Sequence, residues 1–183
     1  MPRYDASSAD CFVFVYKDGL FQAVGHDLKI RVADFTIDSD EATERISARF
    51  NPRSLRAECA VQRGIDRNDL LSGKDKEEIN DHIVRDVLEA HKYDEIAFTS
   101  RFVTREEDRV LITGELFLHG MKKEITVLSH RKDGKPIAET TVSQPDFGIR
   151  PFSAFFGMLK IAPSVRIRVI LGPSILPHAR ERI

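Results

Sequence analysis

The chain has 183 residues, which suits one domain with a sizeable core and leaves no clear room for two. Its formal net charge is −1, so no overall positive field attracts nucleic acid or anionic membranes, and neither is expected as a partner. Twelve Phe, three Tyr and no Trp make the aromatic set strongly apolar, and Phe can line an oily space because it has no polar atom that needs a partner.

The beginning of the chain, residues 1–8, has no apolar signal region. No segment approaches the roughly 18–20 apolar residues that span a bilayer. The sequence therefore predicts a cytoplasmic protein without stable membrane insertion, and a periplasmic location stays open if the chain is a processed form. Cys11 and Cys59 form neither a disulfide framework nor a metal motif, and we expect them to be reduced and to pack as small apolar residues.

Alternating apolar residues predict strands through the first third of the chain. The first, residues 12–16, is followed by a hairpin-turn signal. Residues 28–32 place their apolar side chains on one face, and residues 35–37 continue on the opposite parity, which predicts a bulge near Ala33–Asp34. Further alternation follows across residues 45–61, interrupted at Asn51–Pro52.

One α-helix is predicted over residues 75–91. Asp75 is expected to cap its N-terminus, with Glu78 three residues on completing a capping-box pattern. An apolar stripe then recurs at helical spacing, at Ile79, Ile83, Val87 and Leu88. We expect this stripe to close one side or end of the sheet.

Strands resume after the helix, over residues 96–102, 110–118, 124–131, 137–143 and 165–171. His119-Gly120 and Asp133-Gly134 mark tight turns between them. Polar residues alternate with apolar ones, so one face of the sheet is wet and the sheet is antiparallel. The predicted fold is mainly β, an eight-stranded antiparallel barrel with one main helix, and a β-sandwich is the alternative.

Several stretches in order resemble the YceI family, also described as lipocalin-like polyisoprenoid-binding proteins. They are Gly25–Leu28, Asp81–Ala90 running into Tyr93–Ser100, Ile112–Gly120 and Asp146–Ile149. The resemblance covers roughly residues 10–172 of a single domain, residues 1–183. It implies a lipocalin-like barrel around a long apolar cavity that holds an isoprenoid, an isoprenoid quinone or a fatty-acyl chain, and no other cofactor.

Fourteen residues are candidates for contact with such a ligand. Those expected on the inward face of the sheet are Phe12, Phe14, Leu28, Ile30, Phe50, Phe98, Phe102 and Leu116. Four more, Phe147, Phe152, Phe155 and Phe156, lie in a Phe-rich segment, residues 147–158, that Gly and Pro make irregular. This segment is either a lid over the barrel mouth, or a plug of the core or a homodimer contact.

The last two candidates are His26 and His119, which are expected to hydrogen-bond a ligand headgroup. The six histidines include no pair at i,i+4 spacing and no Cys–His cluster, so no metal site is predicted. His26 beside Asp27 has the elements of an oriented general base, but no nucleophile motif accompanies it. A binding protein without catalytic residues is therefore favoured over two alternatives: an enzyme that acts on a lipid or ester through His26, and a partner-binding protein with a solid barrel.

Overall fold

The residues that the structure describes form thirteen strands and one α-helix. The computed structural model describes residues 2–18, 26–40, 43–154 and 159–172. The elements are β1 (Arg3–Asp5), β2 (Ala9–Asp18), β3 (Asp27–Val32), β4 (Phe35–Asp40), β5 (Arg45–Phe50), β6 (Leu55–Gln62), β7 (Ile65–Arg67), α1 (Gly73–His82), β8 (Ile96–Arg105), β9 (Arg109–Leu118), β10 (Met121–Lys132), β11 (Lys135–Ser143), β12 (Ser153–Ala154) and β13 (Leu159–Leu171).

All the strands belong to one curled antiparallel sheet. Twelve of them follow the order β1-β4-β5-β8-β9-β10-β11-β13-β2-β3-β6-β7, and β12 pairs with β13. The predicted class, mainly β with an antiparallel sheet and one helix, is confirmed. Two of the predicted tight turns are present, at His119-Gly120 and Asp133-Gly134, where both residues have φ between 52° and 77°. Positive φ at both central residues is typical of the type I′ turn, which follows the twist of an antiparallel hairpin.

The predicted count of eight strands is wrong, because the described residues form thirteen. The extended run across residues 28–37 is divided into β3 and β4 at Ala33–Asp34, where the alternation changes parity. The run across residues 45–61 is divided into β5 and β6 by a 3-10 turn at Pro52–Ser54, since Pro has no N–H to continue a ladder. Strands β1, β7 and β12 have only two or three residues, too few to show an alternation.

The two breaks lie side by side and are hydrogen-bonded to each other. The Ala33 N–H donates to the Ser54 carbonyl at 3.1 Å, and the Asn51 N–H donates to the Asp34 carbonyl at 3.0 Å. On one side of the two breaks β4 pairs with β5, and on the other side β3 pairs with β6. The β3–β6 side is called the upper half of the sheet below, and the β4–β5 side the lower half. The sheet is curled, and only two residues separate β3, near one end of its strand order, from β4, near the other end.

The helix begins and ends earlier than predicted. Its N-cap is Ser72, whose hydroxyl accepts from the Asp75 N–H at 3.2 Å, while the Asp75 carboxylate accepts from the Ser72 N–H at 2.8 Å. Asp75 is thus the third residue of a capping box rather than the cap. The helix continues through a π-helical turn, Ile83–Val87, and stops before Glu89, which has φ of 44°. No helix in the described ranges is long and apolar enough to cross a membrane.

Two buried apolar clusters form the core. One joins β2, β3, β4, β6 and β13 and contains Ala9, Cys11, Ile30, Val32, Phe35, Leu55 and Val169. The other centres on β5, β8, β9 and β11 and contains Ala48, Phe98, Ile112, Leu116, Val142, Phe147 and Ile149. Phe50 packs against both clusters and so connects them.

Candidate ligand-binding cavity

A cavity of about 350 Å³ lies on the concave side of the sheet. Its lining in the described residues is almost wholly apolar: His26, His82 and Gln144 have polar side chains, Cys11 has a thiol, and no acidic residue, Lys or Arg takes part. A polar ligand would lose hydrogen bonds to water here without replacing them, whereas an apolar ligand would not. The lining therefore selects for apolar molecules.

The wall of the cavity follows from the alternation of the strands. Every second residue of four strands lines it, namely Cys11, Val13 and Val15 of β2, Leu28, Ile30 and Val32 of β3, Leu116 and Leu118 of β9, and Val165 and Ile167 of β13. The helical segment supplies Ile79, Ile83, Val87 and Leu88, the four residues of the predicted apolar stripe. Asn80 holds this segment against β6, because its side-chain oxygen accepts from the Ala57 N–H at 2.7 Å. The helix thus completes the wall beside β6, as expected.

Among the described lining residues, His82 is the exposed one, and 52% of its side-chain surface is accessible. The cavity therefore opens to solvent beside His82, and this opening is called the mouth. The His82 ring lies 5.0 Å from the ring of Phe152, and its Nδ1 lies 2.6 Å from the Asp86 carboxylate. His26 ends the inward-facing row of β3, one step above Leu28. Two imidazoles and the Gln144 amide are therefore the polar side chains among the described lining residues.

Six of the fourteen sequence candidates line the cavity. They are His26, Leu28, Ile30, Phe50, Leu116 and Phe152. Val13, Val15, His82 and Gln144 also line the cavity, although the sequence did not predict a ligand contact for them. The two valines alternate with Phe12 and Phe14 on β2 and lie on the same face as Cys11. Both faces of this strand are apolar, and the larger Phe side chains favoured the wrong face.

Phe12 and Phe14 lie on the outer face of the sheet, which corrects their expected inward placement. Basic side chains from the neighbouring strands cover both rings: Lys29 Nζ lies 4.4 Å from the Phe12 ring centre, and the Arg168 guanidinium lies 5.2 Å from that of Phe14. Phe12 is only 5% exposed as a result. Cations over aromatic faces give these rings a stable position outside the core.

Three further Phe candidates also lie outside the cavity lining. Phe98 and Phe147 are buried in the second core cluster, with 8% and 2% of their surface exposed. Phe102 is 67% exposed, because a bulge between Ser100 and Phe102 reverses the parity of β8. The expected inward placement of Phe102 is therefore wrong.

His119 lies away from the cavity in a polar arrangement of its own. Its Nε2 is 3.0 Å from the Glu89 carboxylate, its Nδ1 is 3.2 Å from the Phe147 carbonyl, and its ring centre is 4.0 Å from that of Tyr93. The imidazole joins the end of the helical segment to the β9–β10 hairpin and to the Phe-rich segment. Its role here is structural, a correction to the expected contact with a headgroup.

We expect His119→Ala to lower the free energy of unfolding by about 2 kcal/mol, since the buried imidazole has two hydrogen-bond partners, one of them charged. Urea denaturation followed by circular dichroism measures this loss. His91→Ala, at an exposed position, is the matched control and should change stability by less than about 0.5 kcal/mol. Equal effects of the two substitutions would contradict the structural role of His119.

The Phe-rich segment contributes to the wall in its first half. Phe147 packs in the core, while Ile149 and Phe152 line the cavity. Phe155 and Phe156 lie outside the described residues, so the choice between a lid, a plug of the core and a dimer contact stays a prediction.

The thiol of Cys11 faces the cavity but is only 1% exposed, and burial raises the pKa of this thiol to about 12. Because the thiolate is the reactive form, roughly one molecule in ten thousand is reactive at pH 8. We expect iodoacetamide at pH 8 to leave Cys11 unmodified in the folded protein and to alkylate it after denaturation. Peptide mass spectrometry distinguishes the two, and rapid alkylation of the folded protein would contradict this placement.

Asp27, which would orient His26 in the alternative of an enzyme, has a different partner. One carboxylate oxygen of Asp27 accepts from the backbone N–H of Lys17 at 3.0 Å, on the side of β3 opposite to His26. In the described parts of the chain, no three His, Cys, Asp or Glu side chains are grouped so that they could hold a metal ion.

Comparison with known proteins agrees with this architecture. A family model described as YceI-like domain matches residues 9–171. Similar solved structures include BcnA of Burkholderia cenocepacia, with TM-score 0.62 and 15% identity over 91% of this chain and 97% of that chain. A polyisoprenoid binding domain from Saccharophagus degradans, implicated in plant cell wall breakdown, has TM-score 0.57 and 12% identity over 94% and 98% of the two chains.

A YCEI protein of Campylobacter jejuni is similar as well, with TM-score 0.56 and 15% identity over 79% of this chain and 83% of that chain. No curated protein matches the sequence. At sequence identities of 12–15% these solved structures show a shared fold and do not identify a ligand.

Proposed function

Because this chain belongs to the YceI-like domain family, we propose that it binds one apolar small molecule, an isoprenoid, an isoprenoid quinone or a fatty-acyl chain, inside the curled sheet. The observation that carries the proposal is the cavity of about 350 Å³ with its apolar lining. Transfer of an apolar chain from water into such a space releases roughly 0.8 kcal/mol per CH₂. The function of the protein is then to hold or carry this molecule, without chemical change.

Closure of the curled sheet into a barrel is part of this proposal. In this barrel β3 continues into β4, and β5 into β6, as two bent strands. Each bent strand connects one end of the strand order to the other end. Two pairings support it: β13 pairs with β2, and the hydrogen bonds at the two breaks keep the bent strands adjacent. A small β-barrel that is closed in this way has an interior wide enough for one small ligand.

His26 is the proposed partner of a polar headgroup, and His82 is a second. Both imidazoles line the cavity. The His26 ring can donate a hydrogen bond to a carboxylate, hydroxyl or carbonyl oxygen of the ligand, whereas His82, when neutral, donates from Nδ1 to the Asp86 carboxylate and offers Nε2 as an acceptor for a ligand hydroxyl. His82 lies at the mouth, where a headgroup can keep its contact with water. His26→Ala is therefore expected to weaken binding of a fatty acid without affecting retention of a plain hydrocarbon chain.

Phe152→Trp tests the proposal directly, because the chain has no other Trp. Phe152 lines the cavity, so the emission of the new indole should shift when tetradecanoic acid or farnesol is added, and the shift should saturate at one ligand per chain. Phe102→Trp is the matched control at a position that is 67% exposed, and its emission should not respond. Equal responses of both variants, or none, would count against binding in the cavity.

The two alternative functions lack a comparable observation. A solid barrel is disfavoured by the cavity itself, and an enzyme that uses His26 is disfavoured because Asp27 bonds to the Lys17 backbone. Light scattering on a Phe155→Ser, Phe156→Ser variant tests the remaining possibility of a homodimer. Loss of a dimer in that variant alone would assign the Phe-rich segment to an interface.

A further inference from the structure

We propose that a floor of three rings, Phe35, Phe50 and Phe98, closes the inner end of the cavity and limits the bound chain to about 14 non-hydrogen atoms. The inference rests on the proposed function and adds a length limit to it. The ligand expected is therefore a medium-length acyl chain or a prenyl chain of about three isoprene units, and not a long polyisoprenoid held along its whole length.

The depth of the cavity is visible on four strands, where the lining stops and the next residue on the same face is packed in the core. The lining residue and its buried successor are Phe50 and Ala48 on β5, Ile96 and Phe98 on β8, Ile167 and Val169 on β13, and Cys11 and Ala9 on β2. The concave side of the sheet is therefore hollow in its upper half and filled in its lower half.

Two rings form the first part of the floor. Phe50 faces the cavity, and Phe35, which is 3% exposed, stacks behind it with ring centres 6.0 Å apart and planes at 28°. The two residues are directly opposite each other in the β4–β5 ladder. Rings stacked at this distance leave no passage for a chain between them.

Phe98 extends the floor across β8 to β9. Its strand places it directly opposite Ala48 on one side and Leu116 on the other. A side-chain carbon at Gly114 would lie only 2.7 Å from the Phe98 Cζ atom, so the ring of Phe98 occupies the space that the glycine leaves free. The three rings thus continue from β4 to β9 beneath the lining residues.

The volume sets the length of the chain. A cavity of about 150 Å³ in another protein binds benzene, which corresponds to roughly 25 Å³ per carbon. At this ratio, 350 Å³ accommodates about 14 carbons. Carbons beyond this number have to extend through the mouth beside His82, where they stay in water and add nothing to the affinity.

A series of saturated fatty acids measures this limit. For the wild-type protein, displacement of a fluorescent fatty acid should show an affinity that rises roughly fourfold per added CH₂ up to about 14 carbons and then stays level. An affinity that keeps rising to about 20 carbons would overturn the length limit while leaving the proposed function intact. Absence of binding at every length would overturn the proposed function, and the limit with it.

Substitutions in the floor test its identity. Phe98→Ala should move the plateau to chains about four carbons longer, since the space of one ring becomes accessible. Phe102→Ala on the same strand is the matched control, and its plateau should not move. Leu116→Phe, which adds bulk to the lining opposite Phe98, should shorten the plateau by about two carbons and does not depend on how well Phe98→Ala folds. Plateaus that stay at the wild-type length in the folded variants would overturn the assignment of the floor.

Discussion

Replacement of Val13 by Trp is expected to weaken the binding of tetradecanoic acid by roughly 50-fold. Val13 lines the cavity at the middle of β2, and the indole would fill space that about three CH₂ groups of the ligand occupy. Displacing three CH₂ groups costs about 2.4 kcal/mol, which corresponds to this factor. Isothermal titration calorimetry on the folded variant measures the change.

The matched control is the neighbouring residue on the same strand. Phe14→Trp introduces the same indole on the outer face, beneath Arg166 and Arg168, and should leave the affinity within about twofold of wild type. If the two variants weaken binding equally, the ligand site does not lie on the face of β2 that the cavity occupies.

Gly114→Ala is expected to destabilise the protein by about 3 kcal/mol, although the change adds one methyl group. That carbon would lie 2.4 Å from the Thr99 carbonyl oxygen, 2.8 Å from the Ser100 Cα and 2.7 Å from Phe98 Cζ. Two of these atoms belong to the backbone of β8, so a change of side-chain rotamer cannot relieve the clash. Chemical denaturation monitored by circular dichroism gives the loss.

Gly73→Ala is the control for this substitution. No atom lies within 4 Å of a side-chain carbon at Gly73, the first residue of α1, and its φ is not in the left-handed region. Alanine there should be neutral or stabilise the fold by up to about 1 kcal/mol, because it reduces the entropy of the unfolded chain. A Gly114→Ala variant as stable as Gly73→Ala would contradict the close approach of β8 and β9.

The fold class and much of the wall could be predicted from alternation. Leu28 and Ile30 lie on a strand where one face is apolar and the other carries Lys29 and Arg31, so the alternation indicates their inward direction. The helical stripe is equally clear, because its four residues recur at helical spacing. These patterns depend on residues close in sequence, which is why they are readable without a structure.

The face of β2 could not be predicted, because that strand is apolar on both sides. Phe12 and Phe14 compete with Cys11, Val13 and Val15 for the inward face. Basic residues on β3 and β13 determine which face of β2 points outward, because they lie directly opposite the two Phe residues. The pairing of Phe12 with Arg31 is an example. Opposed residues in a ladder share a face, but the register that opposes them depends on contacts distant in sequence.

The predicted positions of Phe102 and His119 are wrong for two different reasons, one local and one dependent on tertiary packing. A single-residue bulge in β8 reverses parity, and the sequence around Ser100 contains no signal for it. The sequence predicts that His119, in a tight turn, contacts a ligand headgroup, yet its partner Glu89 is thirty residues away in the chain. Polar contacts of this kind become visible only when the tertiary packing is known.

The most direct test of ligand binding in the cavity is calorimetric titration of the wild-type protein with tetradecanoic acid at several temperatures. We expect one saturable site per chain and a clearly negative heat-capacity change, the thermodynamic mark of apolar surface leaving water. Absence of saturable binding, or binding with a heat-capacity change near zero, would contradict an apolar ligand held inside this sheet.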